Sequence, residues 1–262
     1  MTSGPEYLQV GGQQLEYIWH GPPPSQAPTL VFLHEGLGSL RLWRDFPQAL
    51  STATGCGALV YSRAGYGNSS PAPLPRPVTY LHHEAQDVLP QVLARCGVRE
   101  CVLVGHSDGG SIALIYAGSV AQPGLLGVIT EAAHVFVEDV TLRGVQAARE
   151  AYQSGDLRAR LARHHAQVDV AFGGWNDTWL SPAFRDWNLE KFLPGVRVPL
   201  LALQGKDDEY GTPAQVQAIV SQAAGPAEGH LLPECGHTPH REARETVLDA
   251  MTAFVRQVAV RS

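Results

Sequence analysis

A series of short, nearly unbroken apolar runs, spaced by helix-length segments, constrains this 262-residue chain more than any other feature. Thr29 to Leu33, Ala58 to Tyr61, Cys101 to Val104, Leu126 to Thr130 and Leu200 to Leu203 lack the alternation of a half-buried strand. Strands apolar on both faces must be covered on both faces. The intervening segments Trp43 to Thr52, Tyr80 to Arg95, Ser111 to Ser119 and Pro213 to Ala223 carry helical periodicity, and Arg244 to Val258 closes the chain with a last helix. Strand and helix in alternation predict a doubly wound, mostly parallel α/β sheet. Leu8 to Val10 and Leu15 to Trp19 flank Gly11-Gly12, the signature of a leading hairpin. Together with Gly229 to Leu232 they bring the expectation to an eight-stranded sheet.

One stretch breaks the rhythm. From Glu131 to Gly195, roughly 65 residues carry helix-like patterns and no convincing strand. The reading is a helical cap (131–195) inserted into a core built from 1–130 and 196–262. Phe172, Trp175, Trp179, Phe184, Trp187 and Phe192 fall within about 20 residues of this insertion. Most of them are expected to pack the cap against the body, with two or three, Trp175 and Trp179 among them, lining an apolar pocket.

Composition narrows the function classes. The chain is 44% hydrophobic and 17% charged, enough for a sizeable core. A formal net charge of -6 argues against nucleic acid, which a basic field would attract. No basic segment followed by an apolar run opens the sequence, and no window approaches a membrane span of about 18 apolar residues. Cys56, Cys96, Cys101 and Cys235 lack metal-type spacing and read as reduced packing residues. A cytoplasmic protein, monomer or homodimer, is the expectation. His82-His83-Glu84 and His164-His165 are neighbours in sequence, but adjacent helical residues diverge by about 100°, so neither pair predicts a metal site.

The chemistry concentrates where the strand Cys101 to Val104 runs into Gly105-His106-Ser107-Asp108-Gly109-Gly110 and then a helix. With 27 glycines in the chain, G-x-S-x-G arises by chance about once in seven such sequences, so the preceding buried strand carries the inference. A strand, sharp turn and helix would lift the Ser107 hydroxyl clear as a nucleophile, the glycines beside it permitting the strained backbone. A serine needs a base. His237, in a glycine-containing loop between the run Gly229 to Leu232 and the last helix, reaches the same sheet edge, with His240 and His230 as structural or surface residues. The base needs an acid, and Asp207-Asp208-Glu209 follows the strand Leu200 to Leu203. Asp208 is the first choice, with Asp207 and Glu131 as competitors. An oxyanion hole needs two N–H donors. Asp108 supplies one, and the loop His34-Glu35-Gly36-Leu37-Gly38-Ser39 the other, from Gly36 or, one register on, Leu37.

These residues make the chain resemble the α/β-hydrolase superfamily, in the branch of capped bacterial serine hydrolases that includes carboxylesterases, enol-lactonases and carbon–carbon bond hydrolases. The resemblance spans nearly the whole length, through HEGLGS, the Ser62-Arg63-Ala64-Gly65-Tyr66-Gly67-Asn68-Ser69 segment, GHSDGG, GKDDEYG and CGHTPH. Haloalkane dehalogenases and epoxide hydrolases place Asp where Ser107 stands. Proline iminopeptidases show Trp after the nucleophile, and many ring-cleavage hydrolases an aromatic where Thr238 stands. The family's usual glycine after the oxyanion-loop histidine is replaced by Glu35, which either bonds within the loop or faces the pocket. His134, at the root of the insertion, is a second pocket candidate beside a structural hydrogen-bonding role. The resemblance implies a cofactor-independent hydrolase of a small-molecule carboxylic ester. Enol-lactones, thioesters or carbon–carbon bonds are alternative targets of the same triad, and a ligand receptor on this scaffold is the alternative from another class.

Overall fold

Successive residues of the central strands face opposite sides of one sheet, and each side has its own core. In the computed structural model, which describes residues 4–120 and 123–259, the chain opens with the hairpin β1 (Glu6–Val10) and β2 (Gln13–His20). It continues through β3 (Thr29–Leu33), α1 (Phe46–Thr54), β4 (Gly57–Tyr61), α2 (Tyr80–His83), α3 (Leu89–Arg95), β5 (Cys101–His106), α4 (Asp108–Ser119) and β6 (Leu125–Glu131). Three helices follow, α5 (Asp139–Ser154), α6 (Leu157–Leu161) and α7 (Val168–Trp179), before β7 (Leu200–Gly205), α8 (Ala214–Gln222), β8 (Ala227–Leu232), α9 (Pro239–Glu242) and α10 (Arg244–Ala259). The outer ends of the segments 1–130 and 196–262 and the residues 121–122 lie outside the described residues.

The eight strands are ordered β1-β2-β4-β3-β5-β6-β7-β8, parallel from β4 to β8 and antiparallel only where β1 and β2 join. Leu30 and Phe32 of β3, Val102 and Val104 of β5 and Leu201 and Leu203 of β7 join a core with Met251 and Val255 of α10 and Phe46 and Leu50 of α1. Their neighbours Val31, Leu33, Leu103, Leu200 and Ala202 join a second core with Ile112 and Ile115 of α4. This period-2 division is why the strands read as continuous apolar runs. Each fully buried Leu, Val or Phe contributes about 1.5–3 kcal/mol relative to exposure.

Two predicted helices are interrupted. Trp43 to Thr52 divides into a tight turn at Leu40–Trp43 and α1, because Arg44 takes a φ of 55° that no α-helix accommodates. Tyr80 to Arg95 passes through a π-wound stretch, Glu84–Val88, ahead of Pro90, whose nitrogen has no proton to donate.

Between β6 and β7 the described residues form helices joined by turns and irregular segments, with an isolated bridge between Phe136 and Asn188. That bridge, with Leu189 N–H donating to Val135 C=O at 2.8 Å, holds the outgoing and returning strands of chain side by side. Arg149 ties α5 to α7 by donating to Asn176 Oδ1 (2.6 Å) and Asp177 Oδ1 (2.7 Å). His165 fastens the α6–α7 connection to the body, accepting from Gly67 N–H (3.0 Å) and donating to Leu37 C=O (2.9 Å).

Candidate active site

β5 gives way to Ser107, whose φ of 51° and ψ of -116° belong to a region that non-glycine residues rarely occupy. Its N–H donates to Glu131 C=O (2.8 Å) and its C=O accepts from Ser111 N–H (3.0 Å), which holds the turn open between β5 and α4. The strain sits on Ser107 itself and not on the glycines beside it. Those serve close approach: a Cβ on Gly105 would collide with the Gly109 carbonyl, and one on Gly109 with the Leu33 carbonyl. α4 begins at Asp108, three residues ahead of its predicted start at Ser111.

The loops after β7 and β8 bring an acid and a histidine to the same carboxyl edge. His237 Nδ1 donates to Asp208 Oδ1 at 2.8 Å, and Tyr210 N–H donates to the same oxygen at 2.8 Å. Asp208 Oδ2 is buried and has no partner. Burial opposes the Asp208 charge, but the His237 hydrogen bond and the Tyr210 N–H outweigh it and hold its pKa below the usual carboxylate range. Of the three adjacent acids Asp208 alone is buried, Asp207 and Glu209 being exposed. Glu131 meets a different histidine: His240 Nδ1 lies 2.6 Å from its Oε2. His230 lies at the surface beside Glu228.

Ser107 and His237 line one cavity of about 90 Å³ together with Glu35, Gly36, Leu37, His134, Trp175 and Trp179, and Thr141, Val145 and Tyr210 complete the wall. Both oxyanion-loop alternatives, Gly36 and Leu37, therefore reach it. Trp175 lies so close over Gly36 that a Cβ there would overlap the indole nitrogen. Of the six aromatics in the helical insertion, Trp175 and Trp179 face this cavity. Phe184 and Trp187 stack on each other at 5.3 Å, Phe172 stacks on Tyr152 at 3.7 Å, and Phe192 lies against His82 at 5.4 Å.

Glu35 faces the cavity, and its side chain pairs with His106 at the end of β5 and not with its own loop. Its Oε2 approaches His106 Nδ1 at 3.4 Å, an ion-pair contact not aligned as a hydrogen bond. His106 Nε2 donates to His237 C=O (2.7 Å), so His106 braces the loop that carries His237. Burial works against charge on His106, but Glu35 prevails and raises its pKa to about 9. Glu35, although desolvated, is held well below the carboxylate range by His106. His134 Nε2 donates to Tyr210 C=O at 3.1 Å while its buried Nδ1 has no partner. Burial, then the neighbouring His237, lowers its pKa, so His134 presents a neutral ring to the cavity.

Behind the cavity lies a buried polar cluster that motif reading did not assign. Asp108 Oδ2 accepts from Tyr80 OH (2.6 Å), which in turn accepts from Trp179 Nε1 (3.0 Å). Arg63 lies beside Asp108 at 3.6 Å. Its only sequence signal is its place in the Ser62-to-Ser69 segment, which names no partner because the contacts span chain separations of 28 to 45 residues. Among the described residues no group of three or more His, Cys, Asp and Glu is placed to hold a metal, and no helix is long and apolar enough to cross a membrane.

Comparison with known proteins agrees with this architecture. The chain is 25% identical over 261 residues to 2-succinyl-6-hydroxy-2,4-cyclohexadiene-1-carboxylate synthase of Salmonella paratyphi C (strain RKS4594), covering 90% of this chain and 97% of that protein. Among solved structures, an esterase from Exiguobacterium antarcticum superposes with a TM-score of 0.74 at 20% identity, covering 95% of this chain and 98% of that one. The enol-lactonase from Burkholderia xenovorans LB400 superposes with a TM-score of 0.71 at 20% identity, covering 95% and 99%. Likeness at such identities carries the fold. The profile described as the alpha/beta hydrolase family matches residues 30–250, most of the sequence, and the chain belongs to that family.

Proposed function

We propose that this protein is a serine hydrolase that cleaves a carboxylic ester of a small to medium, partly apolar or aromatic substrate through an acyl-enzyme, using water and no cofactor. One observation carries the reading. Ser107, on a strained strand-to-helix turn, lines the same cavity as His237, whose Nδ1 is bonded to the buried Asp208. With Nδ1–H committed to Asp208, His237 keeps Nε2 as the base that takes the Ser107 proton and returns it to the leaving alcohol. Asp208 fixes that tautomer and stabilises the imidazolium. The N–H groups of Asp108 and of Gly36 face the developing oxyanion. Water then attacks the acyl-enzyme by the same route reversed.

Residues 131–195 act as a cap over this cavity, Trp175 and Trp179 supplying its apolar wall. A volume of about 90 Å³ suits a short acyl group, well below the roughly 300–1,000 Å³ of drug-sized pockets. Among the described residues no Arg or Lys lines the cavity and Glu35 does, which favours a neutral acyl group over an anionic one. In this the site differs from what a carboxylate such as the one in the name of the Salmonella relative would call for.

The test is labelling by a fluorophosphonate probe together with turnover of a panel of aryl esters, thioesters, enol-lactones and vinylogous diketones. The expected result is labelling of the wild type, none of Ser107→Ala, and fastest turnover of short neutral aryl esters. Equal labelling of Ser107→Ala overturns the assignment. Turnover of no substrate faster than about once per hour, with a large ligand-induced Tm shift, points to a receptor.

A further inference from the structure

The buried guanidinium of Arg63 reaches the peptide unit of one oxyanion donor and the side chain of the other. Arg63 is 1% exposed and does not line the cavity. Its Nη1 donates to His34 C=O at 2.7 Å, its Nη2 donates to Glu35 C=O at 3.1 Å, and Nη2 also lies 3.6 Å from Asp108 Oδ2. The Glu35 carbonyl is gripped twice more, by His34 Nδ1–H at 2.7 Å and by Gly38 N–H at 3.1 Å. His34 can donate there because its Nε2 accepts from the backbone N–H of Arg63 at 3.1 Å, which sets the tautomer. Burial, then the Arg63 charge, keeps His34 neutral by pushing its pKa well below the usual value.

Peptide planarity converts these contacts into a direction. In a trans peptide the C=O and N–H vectors point oppositely. The Glu35 carbonyl and the Gly36 N–H belong to one peptide unit, so anchoring the carbonyl on Arg63 turns the N–H of Gly36 away from Arg63, and Gly36 is a cavity residue. The other donor belongs to Asp108, whose carboxylate is held between Tyr80 OH and the same guanidinium. Burial disfavours the Arg63 charge, but Tyr66, Asp108 and Glu84 outweigh it and raise its pKa above the ordinary arginine value.

We propose that Arg63 is a positioning residue for the reaction: its guanidinium fixes the orientation of the Gly36 N–H and the seat of Asp108, and so sets both halves of the oxyanion hole without touching substrate. This rests on the hydrolase reading above. Planar donors in a fork suit the task. A lysine ammonium, a point charge, holds fewer of these acceptors in fixed directions. An arginine that merely supported the fold would, when replaced, lower thermal stability and leave the chemistry of the folded molecules intact. One that sets the oxyanion hole is felt in the transition state and not in ground-state binding.

The experiment measures kcat and KM for 4-nitrophenyl acetate, the Ki of phenylboronic acid as a tetrahedral mimic, and the thermal transition of wild type, Arg63→Lys and Arg63→Met. In Arg63→Met, kcat falls roughly 100-fold with KM within about threefold, as loss of an oxyanion donor does elsewhere. Boronate affinity falls at least tenfold, Arg63→Lys lies between the two proteins, and in a third variant, Arg63→Ala, millimolar guanidinium restores part of the activity. If Arg63→Met does not fold, Arg63→Lys decides on the same split. A folded variant whose kcat and boronate affinity stay within about threefold of wild type overturns the proposal, as does a loss confined to KM. A wild type that turns over the ester while the variants match it removes the role of Arg63 alone. A wild type that neither turns over esters nor reacts with fluorophosphonate removes the hydrolase reading, and this proposal with it.

Discussion

Two histidine–carboxylate pairs stand at the same sheet edge, with their histidines three positions apart in sequence. His237 meets Asp208 at 2.8 Å and His240 meets Glu131 at 2.6 Å. The bond between histidine and carboxylate does not by itself separate them. Their surroundings do. The His237 side chain is 13% exposed and lines the cavity, whereas His240 is 3% exposed and packs against Trp43 at 4.6 Å and Phe46 at 5.6 Å. His106 touches both rings, at 5.3 Å each, and so couples the reactive loop to the packed one. On the proposed reading, a hydrogen-bonded histidine serves as a base where it shares a cavity with the nucleophile, and elsewhere it satisfies a buried carboxylate.

The contrast can be broken in order of size. His237→Ala is expected to lower kcat by about 10⁴-fold or more with little change in Tm, whereas His240→Ala costs about 2–4 kcal/mol of stability and leaves kcat of the folded protein within about threefold. Steady-state kinetics and urea titration on both variants check this, and a large kcat loss confined to His240→Ala reverses the assignment. Exchanging the acids sharpens the same point. Asp208→Asn should cost about 10⁴ in kcat through the wrong His237 tautomer, and Glu131→Gln should cost stability alone. Trp175→Ala tests the cavity wall. It should raise the butyrate-to-acetate ratio of kcat/KM for aryl esters roughly tenfold, since one or two methylenes are worth that much in a tight apolar pocket.

The smallest effect concerns pH. The folded pKa of His106 is raised to about 9 by Glu35, so its stabilising contribution is complete below the unfolded value of about 6.5 and fades as pH rises towards about 9. The folded pKa of Glu35 is depressed, so its contribution is present above the unfolded carboxylate value of about 4.3 and fades only on acidification. Wild-type Tm should therefore decline between about pH 6.5 and 9 more steeply than that of Glu35→Gln, by a few degrees. Parallel Tm profiles for the two proteins remove the ion pair as the cause.

Much of this was legible in the sequence. The double burial of β3 to β7 was written in unbroken apolar runs, and the order Ser107, Asp208, His237 in loops that follow strands. What sequence reading left open were choices within a loop. Asp208 against Asp207 turns on which side chain faces inward, and Glu131 against both turns on a neighbour, His240, that looked merely structural. Arg63 and Tyr80 were illegible as site residues because their partners arrive from other loops. Likewise the helical insertion announced its aromatics but not their directions: Trp175 and Trp179 face the cavity while Phe184 and Trp187 stack away from it.

The sequence by itself therefore determined the layered α/β architecture and the residue types available for chemistry, because hydrophobic period and turn composition are local properties that act through burial and backbone sterics. The tertiary structure decided which of two histidine–carboxylate pairs shares a cavity with Ser107, how small that cavity is, and that one buried guanidinium bonds the His34 and Glu35 carbonyls behind it. Those outcomes depend on distances between segments remote along the chain, which close only when the sheet forms and its loops meet at one edge.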